Sequence, residues 1–331
     1  MRVTLSADGP RLNLAPATRP PGQYAVRVRV ELAGLCRSDL KEVRGDRHGV
    51  GQFGHELVGV IEESTFPDLP PGHRVTLDPN VPVERGTGFA TDMWVAGSAI
   101  HLAAALPSLP PRVDARRLVF TEPLACAQHC LSAVSRHLGS DLSGRRVGVL
   151  GAGIAGVLIA VLARTLNAVV VLGNRSEDRA SFVRASGILD APIRLTESLP
   201  IDTLDVAVVA TSFVRADILR QALRVIAPGG LVLLYGGTAP GDRLPGLDCD
   251  LDATRRSETS VATMWRGKPV RVGGSYGTVP SDFTAAVRAL TRQPTLRVER
   301  LITREVRLAN LPSVLQQQST RRALGKTLVH T

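Results

Sequence analysis

Cys36, Ser38, His55, Glu56 and Glu122 are residues whose types and spacing could do chemistry. Cys36-Arg37-Ser38-Asp39 lies in a glycine-flanked turn after a strand-like run, and Gly54-His55-Glu56 brings an imidazole 19 residues later. Glu122 stands in Thr121-Glu122-Pro123-Leu124. Thiolate, imidazole and carboxylate together suit zinc, which accepts all three in tetrahedral geometry. Spacing alone leaves plainer readings open. A lone cysteine often behaves as a small buried hydrophobe, His55 fits a satisfied core group, and Glu122 fits a charge at a helix N-terminus.

A second constellation is built from glycine. Leu150-Gly151-Ala152-Gly153-Ile154-Ala155-Gly156 is a G-x-G-x-x-G run that follows a strand and opens a helix. The first glycine permits a tight turn, the second lets backbone approach a pyrophosphate, and the third permits close helix–strand packing. At the end of the next strand an NAD site usually carries an acid for the ribose 2′-hydroxyl, whereas this chain reads Leu172-Gly173-Asn174-Arg175-Ser176. Asn174 occupies the acid's place. Arg175 and Ser176 could bind a 2′-phosphate through a charged fork and a hydroxyl, which favours NADP(H) over NAD(H); the plainer alternative is a surface arginine at a helix start. Ile154, Ala155, Arg179 and Thr211 complete the candidate cofactor-binding set with Gly151, Gly153 and Gly156.

Three regions must position these residues. Up to about residue 120 the chain is rich in Val, Gly and Pro; Tyr24–Val30 alternates like a strand with one wet face, and turn signals such as Pro20-Pro21-Gly22 and Pro70-Pro71-Gly72 recur. From about 140 to 237, continuous apolar strands (146–150, 168–172, 205–210, 231–235) alternate with helices, the pattern of a parallel sheet covered on both faces. A mixed tail follows, with a strand from Val270, helices at 281–292 and 310–318, and a last strand at 326–329.

The 331 residues suggest about two domains. A chain 44% hydrophobic and 21% charged, with only 4% aromatics, has ordinary globular composition and aliphatic cores, which excludes a disordered chain, a collagen or a small disulfide scaffold. The formal charge of +10 comes from dispersed arginines rather than tracts, so it reads as a solvated basic surface rather than a nucleic-acid footprint. Four cysteines without secreted-scaffold spacing, and an N-terminus with no apolar signal core, favour a reducing cytoplasm. The apolar run Val147–Ala163 is broken by Gly151, Gly153 and Gly156, so no membrane span is expected. Cys126 and Cys130 share a helical face and read as packing; Cys249, His48, His73, His101, His137 and His330 fit no ligand spacing.

Gly34-Leu-Cys-Arg-Ser-Asp-Leu40, Gly54-His-Glu-Leu-Val-Gly59, Glu122-Pro-Leu-Ala125 and the Gly151 fingerprint occur in that order, followed by Gly274-Ser275 and Gly325-Lys326. Together they resemble the zinc-dependent medium-chain dehydrogenase/reductases, especially the sorbitol, threonine and cyclitol dehydrogenase branch. The resemblance implies an α/β fold in which a Rossmann doubly wound parallel sheet domain (residues 123–260) is inserted in a GroES-like β-barrel-type catalytic domain (1–122 and 261–331). It implies one catalytic zinc held by Cys36 and His55, with Glu56 and Glu122 as carboxylates that bind directly or exchange with water. No structural zinc is expected, because the segment 78–88 lacks cysteines. It further implies Lewis-acid catalysis of hydride transfer between a polar secondary alcohol (a polyol, cyclitol or sugar-derived intermediate) and a nicotinamide. Ser38 would pass the alcohol proton, and Lys41 stands where many relatives end the relay with histidine. Small-molecule partners only, and a homodimer or homotetramer, are expected. A zinc-free ketone or enoyl reductase is the alternative within enzymes, and a nucleotide-sensing or nucleic-acid-binding protein is the alternative outside them.

Overall fold

The computed structural model describes residues 1–46, 51–321 and 323–331, so His48 lies outside the described residues. The chain divides into two units, Met1–Glu122 with Thr278–Thr331, and Pro123–Gly277. The second unit is thus an insertion in the first.

The first unit opens with the hairpin β1 (Arg2–Ser6) and β2 (Gly9–Asn13). β3 (Tyr24–Leu35) turns Val26, Val28 and Val30 into the core and leaves Arg29 exposed, as its two-residue period requires. α1 (Arg37–Val43) follows directly, then β4 (Glu56–Ser64), the short β5 (Arg74–Val75) and β6 (Glu84–Arg85), and β7 (Asp92–Gly97). Helices α2 (Ala99–Ala105), α3 (Ala115–Leu118) and α4 (Thr121–Leu138) lead out of this unit.

The second unit is wound β8 (Arg146–Leu150), α5 (Ile154–Thr165), β9 (Val169–Asn174), α6 (Glu177–Ser186), β10 (Ile193–Leu195), β11 (Leu204–Val209), α7 (Ala216–Val225), β12 (Ile226–Leu234), α8 (Leu251–Arg256), β13 (Ser260–Trp265) and β14 (Lys268–Gly274). Its sheet runs β10-β9-β8-β11-β12-β14-β13. The first six strands are parallel and follow the 3-2-1-4-5-6 order of a Rossmann fold. Strands such as β8 and β11 are buried almost throughout, which explains their unbroken apolar sequences. The core of this unit gathers Leu150, Val209, Leu219, Leu223, Val232 and Val272.

The unit runs to Gly277, past the boundary expected at 260. The cause is a hairpin. Arg266 and Gly267, both at positive φ, make the two-residue turn that joins β13 to β14. β14 then adds parallel to β12, pairing Leu231 with Arg271 through Leu234 with Gly274. Residues that read as the start of a mixed tail are therefore the last strands of the nucleotide-type sheet.

Back in the first unit, α9 (Pro280–Arg292), β15 (Ile302–Arg307), α10 (Leu311–Thr320) and β16 (Lys326–His330) follow. β16 pairs antiparallel with β3, so the end of the chain completes the sheet β15-β16-β3-β4-β5, and β7 pairs with the first half of β3 on the same edge as β16, opposite β4. Val28, Leu57, Ile61, Phe89, Leu311 and Val329 close one core from both chain segments. No helix among the described residues is long and apolar enough to cross a membrane.

Candidate functional site

β3 delivers Cys36 at its end, where the chain turns into α1, and the first residue of β4 is Glu56 with His55 just before it. β3 and β4 are antiparallel neighbours, with Gly34 opposite Glu56, so residues 19 apart in sequence arrive at one end of one sheet. Among the described residues, Cys36, His55 and Glu56 form the one group whose ligand atoms could hold a metal, all lying within 4.8 Å of one another. Glu122, buried in the first turn of α4, is not in that group.

Asp39 joins the two ligand-bearing loops. It is fully buried; its Oδ2 accepts from the Cys36 N–H at 2.8 Å and its Oδ1 from the Gly54 N–H at 2.9 Å. The same Oδ1 lies 3.6 Å from His55 Nδ1, which is 2.9 Å from the Gln52 carbonyl. A carbonyl can only accept, so Nδ1 carries the hydrogen and Nε2 presents its lone pair to the site. An outer partner on one ring nitrogen is how ligand histidines are oriented. Ser38 Oγ stands 3.4 Å from that Nε2, and Lys41 lies on the last turn of α1.

The surroundings are electrostatically lopsided. Burial, the largest single influence on His55, pulls its pKa down, yet the Cys36 sulfur, hydrogen bonds with Asp39 and Cys36, and the Glu122 charge together hold it well above the ordinary imidazole value. Negative groups converging on one imidazole make a place that stabilises positive charge. One cation is already supplied by the chain. Lys326, at the start of β16 and buried, donates to Glu56 Oε2 and to the Leu35 carbonyl at 3.4 Å. Burial lowers its pKa, but Glu56 first, then Cys36 and Glu122, outweigh that and leave it raised. The donor set of thiol, imidazole and carboxylate fits a zinc ion in kind, with ligand atoms within 4.8 Å of one another. One Glu56 oxygen is committed to Lys326.

In the second unit, Gly151 sits at φ +123°, and a Cβ there would lie 2.7 Å from the Ala210 carbonyl oxygen. A Cβ on Gly156 would come 1.8 Å from the Gly151 carbonyl oxygen, whereas one on Gly153 would meet nothing within 4 Å. Two glycines therefore serve the fold, and the third leaves open space in front of the backbone at the α5 N-terminus, where Ile154 and Ala155 begin the helix. That open face suits the phosphates of a dinucleotide. Asn174 is buried and tied to backbone at both ends of its amide, accepting from the Ala152 N–H at 3.2 Å and donating to the Ser176 carbonyl at 2.8 Å. Its role here is to brace the glycine loop. Ser176 is the N-cap residue of α6 without a side-chain capping bond, Arg175 is exposed and paired with Asp217 at 3.1 Å, and Arg179 lies on α6. Thr211, beyond the end of β11, donates its hydroxyl to the Phe213 carbonyl at 2.7 Å.

Asp39 and Lys326 are the supports to which sequence reasoning assigned no role. An acid three residues after Cys36 at the start of a helix is a legible signal for Asp39. Lys326 had only its place in the Gly325-Lys326 pair. Elsewhere, His129 lies 2.8 Å from a Glu258 oxygen, and burial pushes the Cys130 thiol far up, so that thiol is inert packing.

An alcohol dehydrogenase GroES-like domain matches residues 22–100. D-altritol 5-dehydrogenase of Agrobacterium fabrum is 28% identical over 258 residues, 69% of this chain and 73% of that protein. Among solved structures, galactitol-1-phosphate dehydrogenase from Escherichia coli superposes with a TM-score of 0.77 at 19% identity, covering 100% of this chain and 99% of that one. A putative zinc-binding dehydrogenase from Sinorhizobium meliloti bound to NADP gives 0.71 at 23% identity, covering 94% and 93%. With its Cys36–His55–Glu56 group on the sheet that carries the GroES-like match and its glycine loop on a Rossmann-ordered sheet, the chain is similar to the alcohol and polyol dehydrogenases of the medium-chain type.

Proposed function

We propose that the protein is a zinc-dependent, NADP(H)-linked oxidoreductase that interconverts a polar secondary alcohol and its ketone. The observation that carries this reading is the group of half-buried Cys36 with buried His55 and Glu56, its ligand atoms within 4.8 Å of one another, braced by Asp39. Cys36 Sγ, His55 Nε2 and the free Glu56 oxygen would hold zinc, with Glu122 as a further carboxylate near the site. When bound, zinc would supply Lewis acidity toward the oxygen of the substrate, and the nicotinamide would supply or accept hydride. The chain's own residues do the rest. Asp39 keeps the Cys36 and Gly54 loops together, the Gln52 carbonyl fixes the His55 tautomer, and Lys326 balances Glu56. Ser38 Oγ, beside His55 Nε2, is placed to move the hydroxyl proton of the substrate, with Lys41 on the same helix as the next basic group. Gly153 gives the cofactor's phosphates access to backbone N–H groups at α5, and Arg175 and Ser176 supply the charge and hydroxyl that suit a 2′-phosphate.

A polyol, cyclitol or sugar-derived alcohol is the substrate class we infer. The D-altritol relative supports it, and the NADP in the Sinorhizobium meliloti structure supports the cofactor choice. Elemental analysis of protein purified without chelator is the test, with Cys36→Ser beside it. About one zinc per chain, lost in the variant, together with turnover of a polyol or cyclitol by NADP(H), is the expected result. Freshly purified protein without zinc overturns it. The competing zinc-free reductase draws on the Glu56–Lys326 pair, which already neutralises one donor without a metal.

A further inference from the structure

We propose that Asp217 is a built-in stand-in for the 2′-phosphate of NADP(H), and that Arg215 is the second guanidinium which that phosphate engages. The inference rests on the cofactor reading above and deepens it. β9 and β11 flank β8 in the sheet, so the segments leaving their carboxyl ends lie on either side of the Gly151 loop. A dinucleotide crosses an α/β sheet at this reversal of strand order. Arg175 comes from the β9 side, and Arg215 and Asp217 come from the β11 side, at the start of α7.

The Asp217 carboxylate is shared between the two arginines. Its Oδ2 lies 3.1 Å from Arg175 Nη1 and its Oδ1 lies 3.8 Å from Arg215 Nε. One anion with two oxygens, each facing a guanidinium, is the arrangement that a phosphate presents to a pair of arginines. All three side chains are more than half exposed, so the ion pairs are weak and readily exchanged. A phosphate carries up to two negative charges against one for the carboxylate, so it is the stronger partner for both arginines. Asp217 released from them remains in the first turn of α7, where a negative charge is still stabilised by the helix dipole. Asp217 thus has two consequences. It keeps the arginines from binding other anions, and it sets the affinity by competing with the 2′-phosphate.

Equilibrium binding of NADPH and NADH, followed by nucleotide fluorescence at two salt concentrations, tests this without turnover. Asp217→Asn is expected to tighten NADPH about threefold to tenfold at low salt, with a smaller gain at high salt, and to leave NADH within about twofold. Arg215→Gln is expected to weaken NADPH about fivefold, Arg175→Gln at least as much, and Arg215→Lys to recover part of the loss. Unchanged NADPH binding in Arg215→Gln alongside a loss in Arg175→Gln overturns the role of Arg215. Weaker NADH binding in Asp217→Asn overturns the stand-in role, since the carboxylate would then be an acceptor for the ribose 2′-hydroxyl. Wild-type protein that binds NADH more tightly than NADPH instead overturns the cofactor reading beneath, and is distinguished by needing no variant.

Discussion

The two units present their candidate sites by opposite means. In the first unit the site is made of converging side chains: half-buried Cys36 and buried His55 and Glu56 lie together while Asp39 and Lys326, both buried, support them. In the second unit it is made of backbone and of what glycine leaves out, with polar side chains braced against main chain or exposed to water. A side-chain site in low dielectric is expensive to leave half-paired, because every charge removed strands another. A backbone site is expensive only where a Cβ would collide, and its open face can change without harm to the fold. The first unit should therefore respond to charge deletion in stability, and the second to added carbon atoms in stability at one glycine and in binding at another.

The largest effect is expected at Lys326. Lys326→Met removes one partner of a fully buried ion pair and leaves Glu56 charged and unpaired, a change of about 3–5 kcal/mol in unfolding free energy by denaturant titration. Adding Glu56→Gln should return a good part of that loss, because no uncompensated charge remains. A double variant as unstable as Lys326→Met would show that packing, not charge pairing, dominates there.

Asp39→Ala comes next. It strands two N–H donors, the half-buried one of Cys36 and the buried one of Gly54, and a loss of about 2–4 kcal/mol is expected. If Asp39 positions the donor loops, bound zinc measured by elemental analysis should fall together with stability. Zinc retained at the wild-type level would separate the two and confine Asp39 to the fold.

The glycine loop offers the sharpest internal contrast. Gly156→Ala forces a carbon to within 1.8 Å of the Gly151 carbonyl oxygen, so α5 must shift from β8 at a cost of about 1–3 kcal/mol. Gly153→Ala meets nothing within 4 Å, and its stability should stay within about 0.5 kcal/mol of wild type. Its new methyl stands where the phosphates would approach, so dinucleotide affinity is the property expected to drop. Equal stability losses at both glycines would erase the distinction between a glycine kept for the fold and one kept for a ligand.

The same contrast explains what a reader of the sequence can find. The Gly151–Gly156 run is legible because backbone geometry demands glycine at fixed offsets, and the 3-2-1-4-5-6 sheet is legible because buried parallel strands are continuously apolar. Cys36 and His55 are legible as residue types. Their supports are not: Lys326 meets Glu56 across 270 residues, a pairing made only when β16 joins β3. Sequence places Asn174 at the strand end but cannot show that both ends of its amide bind backbone. β13 and β14 read as tail in the sequence because a hairpin at the sheet edge with alternate exposure and a proline at 269 lacks the unbroken apolar run of a buried parallel strand.

The smallest expected effect comes from an ion pair of the same chemistry as Lys326–Glu56 but placed in water. Arg146, at the start of β8, donates its backbone N–H at 2.7 Å and its guanidinium at 2.9 Å to Asp205, and the arginine hydrogen bond holds the Asp205 carboxyl below the ordinary aspartate value of 3.8. A carboxyl depressed in the folded state stabilises the fold above its unfolded pKa and loses that contribution as pH falls through the folded value. Asp205→Asn should thus lower the melting temperature by no more than about 2 °C near neutrality, with the difference shrinking once the pH drops below about 4. High salt should shrink it as well, because the pair is open to screening, whereas the loss in Lys326→Met should barely respond to salt. A salt-insensitive Asp205 effect, or one as large as that of Lys326, would mean that burial is not what separates the two units.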